Sequence, residues 1–280
     1  MCRESHAFRD VVAVAVVVGT AVLAPNFGPA FENTVVNIAG WFSPGGATTN
    51  VEWANAGSPN ASNWPTGHLW TASPAPTALP PLNVARQECN AVTLPTGDVL
   101  VLGDGSPQRS RQPELLSGGS WNNNLPLEAS VRDHHAIGML LPSGAVLSAS
   151  GNNRWFDFQV YEPAYMSAGP RPAWGAVPGN GVLLRGQTVT VPITMPPGTA
   201  VGKVVLIRSG SLTHHADMDQ RYVQLPFIEG DVGTVDFQAP DGPPLFGAPT
   251  PRLSAPLGFY MIFLVTTTGV PSVAHFVRFQ

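Results

Sequence analysis

The sequence predicts an all-β chain: part of a β-propeller followed by an immunoglobulin-like sandwich. Three observations carry this. Gly and Pro number 29 each among 280 residues, and both punctuate turns and sit poorly in helix interiors. Charged residues make up 11% against 44% hydrophobic, a composition that suits many short strands joined by turns. A strand–turn–strand pattern recurs in mid-chain, and short strand-like segments then recur to the C-terminus.

The N-terminal segment, residues 1–30, opens with Arg3 and Arg9 ahead of an apolar run over residues 11–23, then Ala24, Pro25, Gly28 and Ala30. This has the shape of a secretory signal, and the run is too short to cross a bilayer as a helix. Glu4 and Asp10 dilute the positive charge, and a buried strand is the alternative reading. Residues 31–83 are rich in Gly, Pro and Ser, with sparse strand signals. They include the formal glycosylation sequon Asn60-Ala61-Ser62 and a linker-like stretch over 71–81.

Residues 84–168 hold the repeat. Residues 90–103 read NAVTLPTGDVLVLG, and residues 135–151 read HAIGMLLPSGAVLSASG. Each is an apolar strand, an L-P-x-G turn and a second apolar strand. Pro fixes one φ of the turn and Gly supplies a positive one. Pro95 and Pro142 are 47 positions apart, a period that suits propeller blades of the kelch or WD type. Two unrelated hairpins in one sandwich are the alternative. Gly169-Pro170-Arg171-Pro172 reads as a boundary. Beyond it, over 169–280, strand-like segments fall at 188–193, 203–208, 222–225, 234–238, 259–266 and 273–279, as in an immunoglobulin-like sandwich.

The formal net charge is −4 without a run of like charges, which argues against a nucleic-acid surface. The two cysteines, Cys2 and Cys89, form no CxxC motif, and phosphate-loop, nucleophile-elbow and dinucleotide signatures are lacking. Of seven histidines, four lie in the pairs His134-His135 and His214-His215. Imidazole is a good ligand for copper, zinc, iron or nickel. Neighbours on an extended strand point to opposite faces, so at most one of each pair faces a shared site unless the backbone there is irregular. On these residues alone, surface or hydrogen-bonded histidines are the simpler reading. Asp217 and Asp219 raise a hydrolytic metal site, but pairing of Asp219 with a nearby Arg is the better expectation. Arg132 either orients the His pair or serves a structural ion pair. Trp121 and Trp155 suit packing better than sugar stacking, and His275 reads as structural.

Four ordered motifs add a resemblance. Residues 134–147, HHAIGMLLPSGAVL, look like the propeller segment of the galactose oxidase and glyoxal oxidase family, where a Tyr-His pair precedes a similar run. Tyr161-Glu162-Pro163-Ala164-Tyr165-Met166 with Arg171-Pro172 resembles the family's exit from the propeller. Residues 206–214, LIRSGSLTH, with Asp219-Gln220-Arg221 are similar to its Thr-His loop. Residues 256–263 and 269–274 resemble its last strands. The resemblance covers about residues 84–280. It implies a kelch-type propeller end over 84–168 and a galactose-oxidase-like early-set domain over 169–280, in a chain that looks N-terminally truncated.

The resemblance also implies chemistry. One copper ion would be held by His135 and His214, with His134 in the place of the family's axial tyrosine, which serves as ligand and as base toward the substrate alcohol. Imidazole can ligate copper and accept a proton. The family oxidises alcohols or aldehydes with O2, giving H2O2, and takes its second electron from a tyrosine cross-linked to cysteine. Tyr161, Tyr165, Tyr222 and Tyr260 all fall in segments matched elsewhere, so no tyrosyl-cysteine radical cofactor is identifiable, and turnover is expected to be absent or incomplete. The partners implied are a carbohydrate or a small alcohol or aldehyde. Neither nucleic acid nor an integral membrane position is expected, and the family is usually exported. The alternative is a non-enzymatic extracellular β module that binds carbohydrate or a protein partner.

Overall fold

The computed structural model describes residues 80–104, 109–151, 157–230, 233–240 and 255–280, and the backbone of six short strands before them. These are β1 (Thr20–Leu23), β2 (Thr34–Ile38), β3 (Trp41–Phe42), β4 (Gly46–Ala47), β5 (Val51–Asn55) and β6 (Thr77–Ala78). β1, β2, β5 and β6 form one antiparallel sheet in that order, and β3 pairs with β4. The end of the apolar run is therefore a strand, and strands also occur within 31–83. The start of that run, the Asn60 sequon, Cys2 and Trp155 lie outside the described residues.

The two L-P-x-G segments fold alike. β7 (Asn90–Thr93), β8 (Val99–Leu102), β9 (Glu114–Ser117) and β10 (Ser120–Asn122) pair antiparallel in chain order. So do β11 (Ile137–Leu140), β12 (Val146–Ala149) and β13 (Phe158–Tyr161). In the first hairpin, Leu94 N–H donates to Asp98 O at 2.8 Å and Gly97 N–H to Leu94 O at 2.9 Å. In the second, Leu141 donates to Ala145 O and Gly144 to Leu141 O, both at 2.8 Å. Gly97 and Gly144 have φ of 91° and 87°, a region open to glycine and costly for other residues. The motif's glycine is thus fixed by the turn. Gly138 lets the sheets approach: a Cβ there would lie 3.0 Å from Asn90 Cβ and 3.1 Å from Leu102 Cδ1.

The C-terminal part comprises β14 (Ala173–Trp174), β15 (Val182–Leu183), β16 (Thr188–Thr194), β17 (Val201–Arg208), β18 (Leu212–Thr213), β19 (Ala216–Asp217), β20 (Tyr222–Leu225), β21 (Phe227–Glu229), β22 (Thr234–Gln238), β23 (Gly258–Thr266) and β24 (His275–Phe279). Two sheets stack, ordered β14-β16-β22-β21 and β15-β24-β23-β17-β20, and β18 pairs with β19 as a small hairpin. β16 (TVTVPIT) alternates exposed and buried along its length, as a strand with one wet face must.

β17 and β23 are apolar almost throughout, and the packing shows why. Val204, Leu206, Ile262 and Leu264 join Val189, Val191, Val235 and Phe237 in the core between the two sheets. The intervening Val205, Ile207, Met261, Phe263 and Val265 form a second core with Val92, Leu94, Leu100, Leu102, Leu140 and Val146. The central strands β17 and β23 of the five-stranded sheet are buried on both faces, and the period of two sends alternate residues to different cores. Polar contacts seal this dock at both repeat turns. Lys203 Nζ donates to Thr96 O at 2.7 Å and Tyr222 OH to Pro95 O at 3.2 Å. Arg171 donates to Ser143 O at 2.7 Å, and Ala274 N–H to Pro142 O at 2.8 Å.

Candidate metal centre

The dock brings together histidines that are far apart in the chain. His134 and His135 sit just before β11, and His214 and His215 in the tight turn between β18 and β19. His135 Nε2 lies 3.0 Å from His214 Nε2. One ligand nitrogen from each of His134, His135 and His214 lies within 4.8 Å of the other two. The ring centroids of His134 stand 4.1 Å from those of His135, 5.2 Å from His214 and 6.2 Å from His215.

Extended backbone would have turned one member of each pair away. Instead His135, His214 and His215 adopt φ of 70°, 48° and 56°. Non-glycine residues take such values rarely, and strain of this kind gathers at functional sites. Glu88 and Arg109, with φ of 52° and 50°, border the same cluster: Glu88 approaches His134, and Arg109 bonds Asp133 at 2.5 Å. The positive φ is what lets both His134 and His135 face one point.

Each ring has its support. Thr213 Oγ1 lies 2.8 Å from His214 Nδ1. His134 Nδ1 lies 3.2 Å from Glu88 Oε1, off the line of a good hydrogen bond, and is otherwise buried without a partner. His215 is buried with its Nδ1 unpartnered. Burial first, and then the neighbouring His134, His214 and His135, push its imidazole down to about 4. The donor set suits a borderline metal. Two nitrogens 3.0 Å apart can each reach a common ion at the ~2.0–2.1 Å typical of imidazole bonds, with an angle near a right angle between them.

The loop carrying His214 is built by the D-Q-R segment. Arg208 pairs with Asp219 at 3.2 Å. Asp217 Oδ1 accepts from the Ser211 and Asp219 amides at 2.9 and 3.0 Å. Gln220 Nε2 donates to Ala91 O on β7 at 3.0 Å. The two aspartates shape the loop, and Gln220 ties it to the neighbouring sheet. Arg132 is buried: it donates to Ser148 Oγ at 3.2 Å and to Asp157 Oδ1 at 2.7 Å, so its role is structural. Trp121 Nε1 donates to Pro80 O at 2.8 Å, and His275 lies on β24. The tyrosines are engaged in packing. Tyr260 is in the sandwich core, Tyr222 in the docking core, Tyr165 OH bonds Gly144 O, and Tyr161 packs beside the docking core.

Sequence reasoning passed over Glu88, and it gave Thr213 and His215 no role of their own. A signal for Glu88 existed: it stands seven residues before Pro95, as His135 stands seven before Pro142, and both take a positive φ. Read in register, the repeat places a polar residue at the same point of each sheet.

A galactose oxidase-like early set domain model matches residues 171–279. The C-terminal sandwich is a galactose oxidase-like early set domain. Similarity to galactose oxidases extends beyond that domain. The chain is 27% identical over 217 residues to a galactose oxidase of Gibberella zeae, covering 70% of this chain and 30% of that protein. It is 28% identical over 245 residues to the aldehyde oxidase GLOX of Vitis pseudoreticulata, covering 76% of this chain and 45% of that one. The chain thus spans less than half the length of these relatives. Its fold matches that of a fungal alcohol oxidase of the AA5 family solved in complex with copper, with a TM-score of 0.72 at 20% identity over 94% of this chain and 54% of the other. None of the described helices is long and apolar enough to cross a membrane.

Proposed function

We propose that this galactose-oxidase-like chain binds one copper ion through His135, His214 and His134, at the seam where the early set domain meets the L-P-x-G hairpins. The observation that carries the reading is the 3.0 Å approach of His135 Nε2 to His214 Nε2, between residues 79 positions apart. Bound copper would supply one-electron redox chemistry and a Lewis acid. The chain's own residues hold and aim it. His214 is braced through Nδ1 by Thr213, and His134 has the position from which to accept a substrate proton.

Alcohols or aldehydes are the substrate class, oxidised by O2 to give H2O2, and carbohydrate alcohols are the finer candidates. A two-electron oxidation needs a second one-electron partner besides copper. The four tyrosines are engaged in packing, so turnover by this chain is expected to be low or nil while copper binding persists. The family's export and the apolar N-terminal run support a secreted protein, with domains over 84–168 and 169–280.

Copper titration followed by electron paramagnetic resonance tests the site. The parent should bind one Cu(II) with nitrogen hyperfine structure, and His135→Ala with His214→Ala should abolish that signal. A double variant that binds copper as the parent does would remove the site.

A further inference from the structure

We propose that Glu88 is a positioning residue for the metal centre: its carboxylate holds the Nδ1–H of His134 and so leaves Nε2 as that ring's donor. This deepens, and rests on, the copper reading above. Three observations carry it. Glu88 Oε1 is 3.2 Å from His134 Nδ1, a buried nitrogen with no well-aligned hydrogen-bond partner. Glu88 reaches it through a strained backbone, with φ of 52°, which the fold retains only if something over-determines it.

The third observation is that the segment around Glu88 is anchored on both sides. Arg86 and Glu114 form a fully buried pair at 3.0 Å. Glu114 also accepts from Asn83 N and Nδ2 at 2.7 and 2.8 Å, and Arg86 NH1 donates to Gly103 O at 2.9 Å. After Glu88, Asn90 Nδ2 donates to Ala136 O at 3.3 Å, fixing β7 beside the His134-His135 segment. Glu88 is thus presented to His134 from a rigid base. The side chains are partly accessible, 20% for Glu88 and 38% for His134, so the pair borders the centre's open side.

The chemistry follows from how metal-bound imidazoles are held. A ligating histidine donates its other ring N–H to an acceptor, which fixes tautomer and orientation and raises the donor's basicity. His214 has a hydroxyl for this, through Thr213. His134 has an anion. A carboxylate partner makes its imidazole the more electron-rich of the two, and so the stronger donor through Nε2.

Two measurements test this. In the metal-free protein, nitrogen-detected NMR of labelled histidines should show His134 protonated at Nδ1. Glu88→Ala should shift it toward the Nε2–H form, and Glu88→Gln, which keeps an acceptor oxygen, should preserve the parent tautomer. In copper competition assays, Glu88→Ala should weaken Cu(II) binding about tenfold, the lower range seen for lost outer-shell partners, and change the Cu(II) paramagnetic resonance parameters. The same substitution in a His134→Ala background should change neither. An unchanged tautomer in Glu88→Ala would overturn the proposal even if copper binds. Copper failing to bind the parent, with the tautomer shift present, would remove the copper reading and leave the Glu88–His134 pair standing. If Glu88→Ala does not fold, Glu88→Gln decides: it must keep the parent tautomer while binding copper more weakly for want of the negative charge, and parent-like affinity would overturn the proposal.

Discussion

Cys89 follows Glu88 in the chain and has no exposed surface. Burial pushes its thiol up to about 12, with Asp104 and Glu114 adding to the shift and Arg86 partly opposing it. The thiolate is the reactive form, so the native protein should leave Cys89 unlabelled by a disulfide reagent at pH 8, and labelling should follow global unfolding. Mass spectrometry of the labelled peptide checks this. The sign of the linkage also follows. The folded pKa lies above the unfolded one, so the contribution is whole below about pH 9 and is lost as pH rises toward 12. Unfolding midpoints should therefore fall in alkali, and less so in Cys89→Ala. Beside it, Arg86 and Glu114 have fully buried side chains. Glu114→Ala would leave a buried guanidinium without its anion, at a cost of about 3–5 kcal/mol. A denaturant titration showing less than about 1 kcal/mol would mean that Arg86 is hydrated or re-paired.

At the scale of elements, much of this architecture can be read from residues, for physical reasons that differ by element. The L-P-x-G hairpins are legible because proline and glycine restrict the backbone directly, and both turns close with the same hydrogen bonds. β16 is legible because its alternation matches one wet face. β17 and β23 show apolar runs, over 204–207 and 259–265, which say that both faces are buried without saying against what. The site is half legible. The His pairs are visible, but their convergence depends on positive φ at His135 and His214, which residue type does not encode for histidine. Glycine offers the matching experiment. Gly103 and Gly118 both have positive φ, at 77° and 56°; a Cβ at Gly103 would lie 2.7 Å from Arg132 O, and at Gly118 it would meet nothing within 4 Å. Gly118→Ala should cost the ordinary ~1 kcal/mol of such a backbone. Gly103→Ala should cost clearly more, because backbone must move. Equal losses in thermal unfolding would show that the sheet yields at Arg132.

At the scale of the molecule, the histidine cluster forms where two faces of the fold meet. His135 comes from the hairpin side and His214 from the early set side. What holds them at 3.0 Å is the core of Val205, Ile207, Met261 and Phe263 against Val92, Leu100, Leu102 and Leu140. Lys203 and Arg171 reach from one side to the turns of the other. The geometry of the proposed copper ligands is therefore a property of the dock. Phe263 is fully buried in it, and Phe263→Ala should cost about 3–5 kcal/mol. Val205→Asp goes further, placing an unpaired carboxylate between the faces, which that interior cannot solvate. With all histidines intact, Val205→Asp should weaken Cu(II) binding at least as much as His214→Ala does. The sandwich core should keep its hydrogen-exchange protection, since Val205 points away from it. Parent-like copper affinity in Val205→Asp would mean that the histidine cluster is assembled locally and that the buried seam only supports it.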